Sequence, residues 1–159
     1  MIDIGGIDHV YVAVSDLARS EAFYDGVMKL LGFRKGTRPI AGERHAHYFN
    51  RETQYTIRPA RGDAAHDPYS AGLHHLCFRA GGRAEVDEAY RGLRRLGIAA
   101  SEPSLYPEYA DDYYATFFDD PDGIRLEIVA LRRMRTLVRE KWDRLTEFED
   151  PLAKAGLLK

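Results

Sequence analysis

Two tandem β-α-β-β-β modules in an α+β arrangement, followed by a C-terminal helix, are expected from three features of the chain. Two alternating segments, Ile7-Asp8-His9-Val10-Tyr11-Val12-Ala13-Val14 and Leu73-His74-His75-Leu76-Cys77-Phe78-Arg79-Ala80, each carry a histidine in third place. Each is followed by an amphipathic stretch that stops at a Leu-Gly pair, Leu31-Gly32 in one case and Leu96-Gly97 in the other. Matching positions also keep a nearly constant offset: His75 follows His9 by 66 residues, Gly97 follows Gly32 by 65 and Phe118 follows Phe49 by 69. Self-similarity at a fixed period is the mark of a repeated supersecondary unit, and loop insertions account for a drift of a few residues.

The elements follow in order. In the first strand Val10, Val12 and Val14 share one face and His9, Tyr11 and Ala13 the other, because successive side chains alternate. Ser15-Asp16 offers a helix cap, Leu17, Phe23, Tyr24, Val27, Met28, Leu30 and Leu31 recur near helical spacing, and Gly32 stops the run. Three strands are expected at about 33–38, 44–50 and 54–60, the last two joined by Asn50-Arg51-Glu52-Thr53. Residues 61–72, rich in Gly, Asp, Ala and Pro, connect the halves. In the second half Val86, Ala89, Tyr90, Leu93 and Leu96 mark a helix, with strands expected at 98–103, 113–119 and 124–130. The last pair is joined by Asp120-Pro121-Asp122-Gly123, a strong turn signal. Module 1 (about 5–62) and module 2 (about 72–130) thus form one domain over 1–130. Residues 131–159 form an amphipathic helix and tail in which Leu131, Met134, Leu137, Val138, Trp142, Leu145 and Phe148 would pack on the body or on a second subunit.

Composition narrows the function classes. A chain of 159 residues buries a core without disulfides or a structural metal, so a metal here would be functional. Apolar residues make up 45% and charged residues 30%, and no apolar run approaches the roughly 20 residues of a membrane span. The N-terminus lacks a basic region followed by an apolar stretch, and Cys77 is the only cysteine, so a soluble cytoplasmic protein is expected. A net charge of -2 offers no footprint for nucleic acid.

His9 and His75 occupy equivalent repeat positions, and Glu127 lies on the last strand among Ile124, Leu126 and Ile128. All three fall on the polar face of a strand whose other face is apolar. A carboxylate inside an apolar strand needs a cation or strong donors, a requirement that a metal or Arg125 would meet. Two imidazoles and one carboxylate form an open ligand set, which leaves positions for water, oxygen or substrate. His74 should face away from His75; His45 and His47 share a face but have no repeat counterpart; His66 lies in the connection; Cys77 reads as a small buried hydrophobe.

The paired modules, the strand-opening histidines and the run Phe118-Asp119-Asp120-Pro121-Asp122-Gly123-Ile124-Arg125-Leu126-Glu127 resemble the vicinal oxygen chelate superfamily over about residues 5–130. That superfamily includes glyoxalase I, extradiol dioxygenases, fosfomycin-resistance enzymes and bleomycin-binding proteins. The resemblance implies a cup-shaped, mostly antiparallel sheet and a divalent metal (Fe, Mn, Ni or Zn) held by His9, His75 and Glu127. It also implies a small-molecule substrate and a homodimer, in some members with modules exchanged so that ligands come from two chains.

Departures from the pattern guide the choice of reaction. Many lyases of the superfamily carry a fourth ligand, often glutamate, on the strand Gln54-Tyr55-Thr56-Ile57-Arg58-Pro59, where Thr56, Ile57 or Arg58 fills the place here. Three ligands favour dioxygenase-like chemistry on a substrate with neighbouring oxygens. The alternatives are a glyoxalase-like lyase or isomerase, and a non-catalytic protein that sequesters a ligand. Against the extradiol pattern, Phe117 stands where a tyrosine is usual, and no histidine occurs around Glu108-Tyr109-Ala110. Arg58 is a candidate grip for an anionic substrate. Tyr11 and Tyr48 are the pocket phenols singled out, with Tyr113 and Tyr114 as further possibilities.

Overall fold

The computed structural model describes residues 4–157. Module 1 comprises β1 (His9–Val14), α1 (Leu17–Leu30), β2 (Arg34–Gly36), β3 (Ala46–Phe49) and β4 (Gln54–Pro59). Module 2 repeats the order with β5 (His75–Ala80), α2 (Arg83–Arg95), β6 (Ser104–Leu105), β7 (Tyr114–Asp119) and β8 (Arg125–Ala130). Each module forms a four-stranded sheet, ordered β1-β4-β3-β2 and β5-β8-β7-β6. β1 runs parallel to β4 and β5 parallel to β8, while the remaining neighbours are antiparallel. The α+β class and the duplicated order agree with expectation.

Local chemistry accounts for the helix ends. The Asp16 side chain caps α1 by accepting from the Arg19 N–H at 3.0 Å. At the far ends Gly32 and Gly97 take φ of +82° and +75°, and the following N–H groups, of Phe33 and Ile98, return to the Met28 and Leu93 carbonyls at 2.8 and 3.0 Å. A left-handed residue is needed for that return, and glycine adopts it without strain.

The segment 98–103 departs from the expected strand. Only a single bridge, Ala100 to Phe118, precedes the short β6. Pro103 has no N–H to offer a ladder, and Ser101 pairs with β7 partly through its side chain, its Oγ accepting the Phe117 N–H at 2.9 Å.

The two modules share one apolar core, in which Val14, Tyr24, Val27 and Ile57 meet Val86, Leu93 and Leu126. Helices α1 and α2 touch where Gly92 faces Leu30, so closely that a Cβ at 92 would stand 2.4 Å from Leu30 Cδ1. The Asp120–Gly123 turn also clasps the modules. Buried Asp120 accepts from the Tyr24 hydroxyl at 2.8 Å, and Tyr24 in turn accepts from Tyr55 at 2.8 Å. Asp122 accepts the Ser15 N–H at 2.8 Å and also pairs with the Ser15 hydroxyl and Arg19 at the start of α1.

Beyond the modules lie α3 (Arg133–Lys141), a 3₁₀ turn (Trp142–Arg144) and α4 (Pro151–Lys154). The expected amphipathic helix therefore stops short of Phe148. Asp143, Thr146 and Asp150 are weak helix formers, and the residue before Pro151 is turned out of the helical region. No α3 residue is buried, and Trp142 is 61% exposed. Among the described residues no helix is long and apolar enough to cross a membrane.

Candidate metal centre

Parallel pairing of β5 with β8 sets Cys77 opposite Glu127 and His75 opposite Arg125. Glu127 is only 1% exposed. Its Oε1 accepts the Tyr113 hydroxyl at 2.5 Å, and its Oε2 lies 3.5 Å from His75 Nε2. Burial, with the bond to Glu127, holds the Tyr113 phenol well above its ordinary value, so Tyr113 stays a donor at neutral pH. His75 is oriented from behind, since its Nδ1 lies 2.7 Å from His74 Nδ1. One of those nitrogens carries the proton, and His75 Nε2 is left facing the carboxylate.

His74 therefore touches His75 and supports it, although a place on the opposite side was expected. Cys77, expected as a buried hydrophobe, keeps surface access. Crowding around its sulfur and the Glu127 charge push the thiol up to about 12, so it is neutral at physiological pH. Arg125 stacks over the Phe117 ring at 4.6 Å and makes no ion pair with Glu127. Glu127 and His75 thus place side by side two side chains of the types that ligate divalent metals, with one phenol donor holding the buried carboxylate.

The third expected ligand lies on the other sheet. In module 1 the register sets His9 opposite Gln54 and Tyr11 opposite Thr56, so Thr56 holds the place of Glu127. Ile57 is in the core, and Arg58 is bound to Glu43. Thr56 Oγ1 accepts from Gln54 Nε2 at 2.9 Å and lies 3.0 Å from His47 Nδ1. His9 pairs with Asp8 at 2.8 Å and packs edge-on against half-exposed Tyr11, the ring centres 5.2 Å apart. His45 and His47 stack with centres 5.8 Å apart; His47 Nε2 meets the Arg38 carbonyl at 2.8 Å and His45 Nδ1 that of Glu43 at 2.8 Å.

The triad thus splits into His75 with Glu127 on one sheet and His9 on the other. Among the described residues no group of three or more His, Cys, Asp or Glu is close enough to hold a metal ion. Tyr48, expected as a pocket phenol, instead lies in the core at 2% exposure and donates to Asp25 at 2.8 Å, because it alternates with His47. Tyr113 does meet the site, although a tyrosine just ahead of a strand carries no signal that ranks it above the chain's other tyrosines.

A cavity of about 840 Å³ is bordered by His75, Cys77, Arg79, Tyr113 and Arg132, with Asp8 and Tyr55 on the module 1 side. Its size and mixed lining suit a small molecule.

Residues 6–128 match the Glyoxalase/Bleomycin resistance protein/Dioxygenase superfamily. The chain is 30% identical over 129 residues to the uncharacterized protein YqjT of Bacillus subtilis (strain 168), covering 77% of this chain and 96% of that protein. Among solved structures it resembles a candidate glyoxalase from Bacillus halodurans, with 28% identity, a TM-score of 0.66 and coverage of 80% of this chain and 96% of that one. A mutant of the fosfomycin resistance protein FosX from Listeria monocytogenes, complexed with Mn(II) and 1S,2S-dihydroxypropylphosphonic acid, shares the fold: 18% identity, TM-score 0.63, coverage 85% and 98%.

Proposed function

This chain belongs to the glyoxalase/bleomycin resistance protein/dioxygenase superfamily, and from that premise we propose that it is a divalent-metal enzyme with dioxygenase-like action on a small molecule bearing neighbouring oxygens. The observation that carries the reading is the buried Glu127 carboxylate with His75 Nε2 at 3.5 Å, His75 and Tyr113 bordering a cavity. The site is completed in a homodimer, where His9 of a second copy joins His75 and Glu127. Support comes from strand alternation, since His9 and His75 occupy matching register places on two separate sheets and, among the described residues, no three ligand-type side chains come together within the chain.

The donor set, one carboxylate and two imidazoles, fits iron, manganese, nickel or zinc and leaves coordination places free. A bound divalent ion would supply Lewis acidity toward two adjacent substrate oxygens. The chain's own part is positional. Tyr113 fixes Glu127 by donating its one hydroxyl proton to Oε1, and His74 fixes the ring of His75. A lyase or isomerase of this superfamily would call for a carboxylate base where the register puts Thr56, and a threonine hydroxyl cannot accept a proton at neutral pH.

Metal content and chain mixing test this reading. Wild type should retain about one divalent ion per chain, and H9A and H75A none. Co-expressed H9A and H75A chains should recover metal, and oxygen uptake with catechols, in the mixed dimer, where one of two sites is intact. No retention by wild type sinks the metal reading. Retention by wild type with none in the mixed dimer sinks the shared site. Turnover of methylglyoxal plus a thiol without oxygen uptake would move the chain to the lyase class.

A further inference from the structure

Two arginines of the C-terminal appendage border the same cavity as His75 and Tyr113. Arg132, the residue before α3, and Arg135 on its first turn line the wall with His75, Cys77 and Tyr113. The Arg132 guanidinium carbon stands 5.0 Å over the Tyr113 ring, whose hydroxyl is bound to Glu127. The start of α3 is pinned, because Asp112 Oδ2 accepts the Arg133 N–H at 2.6 Å. A spacing of three residues about that fixed turn keeps Arg132 and Arg135 on one side of the helix.

Three arginines line the cavity, Arg79 on β5 together with these two, and among the described residues none of the three has a carboxylate within 4 Å. Arg19, Arg44, Arg58 and Arg61 each have one within that distance. Asp8 and Glu52 border the cavity from module 1, and Asp8 is already occupied by His9 at 2.8 Å. Unpaired guanidinium groups in a concave site favour a planar or tetrahedral oxyanion, which each can grip with two N–H bonds. Arg132 and Arg135 also lie beyond the span 6–128 matched to the superfamily.

From this we infer that Arg132 and Arg135 form an oxyanion subsite, through which the appendage selects a substrate carrying a carboxylate or phosphoryl-type group near its paired oxygens. The inference rests on the cavity being the substrate site proposed above. The subsite gives a role to the first turn of α3, a helix that buries none of its residues.

The test is calorimetric titration of the full chain, freed of metal by chelation, with inorganic phosphate and separately with malonate. Wild type should bind one or both saturably, more weakly as salt rises. The variants R132Q and R135Q should each weaken binding several-fold and the pair together at least tenfold, with circular dichroism unchanged. R132K/R135K should recover part of the loss, because charge remains while the two-pronged grip does not. The better probe identifies the group as phosphoryl-type or carboxylate. Absence of saturable binding by wild type, or a double Gln variant that binds as tightly as wild type, overturns the subsite. The metal reading is judged separately: H75A should lose metal yet keep phosphate or malonate binding, and the double Gln variant should do the reverse.

Discussion

Asp120 shows what a single buried carboxyl contributes. It is 5% exposed, and burial raises it above the ordinary 3.8 although the Ile124 N–H and the Tyr24 hydroxyl pull the other way. A carboxyl whose folded value exceeds its unfolded one binds its proton more firmly when folded. The stability linked to it is therefore complete below the unfolded value and is lost as pH rises through the folded one. Urea unfolding of wild type and D120N, compared in steps from about pH 4 to about pH 7, should show the wild-type advantage shrinking as pH rises; an advantage that grew with pH would contradict this. At the candidate site, residues differ in how plainly sequence marks them. His75 and Glu127 stand out because each interrupts the polar side of an apolar strand. Thr56 cannot be chosen over Ile57 and Arg58 without the register of β1 with β4, and His74 escapes the expected alternation because a residue ahead of a strand need not obey it.

Among the elements, α1 and α2 approach closely at Gly92. An added methyl at Gly92 would meet Leu30 at 2.4 to 3.0 Å. Alanine gains about 1 kcal/mol over glycine in helix propensity, while forcing a packed neighbour aside costs about 1–3 kcal/mol. G92A should therefore destabilise the protein by up to about 2 kcal/mol in chemical denaturation. In an L30A background the same change should be neutral or stabilising, since the obstructing atoms are gone; equal effects in both backgrounds would place the cost elsewhere. The module helices α1 and α2 are the plainest elements to read, because a Leu-Gly stop follows each of their amphipathic runs. The strand expected at 98–103 fails for a local reason, namely Pro103 and a serine that bonds sideways. The Asp120-Pro121-Asp122-Gly123 turn is legible as a turn, but its second task, clasping Ser15, Arg19 and Tyr24 of the other module, depends on tertiary neighbours that no local pattern encodes.

For the molecule as a whole, duplication makes the architecture legible: a repeated histidine, a repeated Leu-Gly and a steady offset suffice to set out two modules. The same symmetry does not bring the repeated histidines together: His9 and His75 match in sequence yet stand on separate sheets within one chain. The appendage, expected to pack on the body or on a second subunit, buries no α3 residue within the chain, and Arg132 and Arg135 at its start border the cavity. Its outer end holds Trp142, the chain's only tryptophan, 61% exposed and beyond both modules. Indole emission therefore reports on the tail, while Tyr24, Tyr48 and Tyr55 report on the interior. Heating followed by fluorescence should begin from an already water-like emission maximum and register little change at the temperature where circular dichroism records the melting of the sheets.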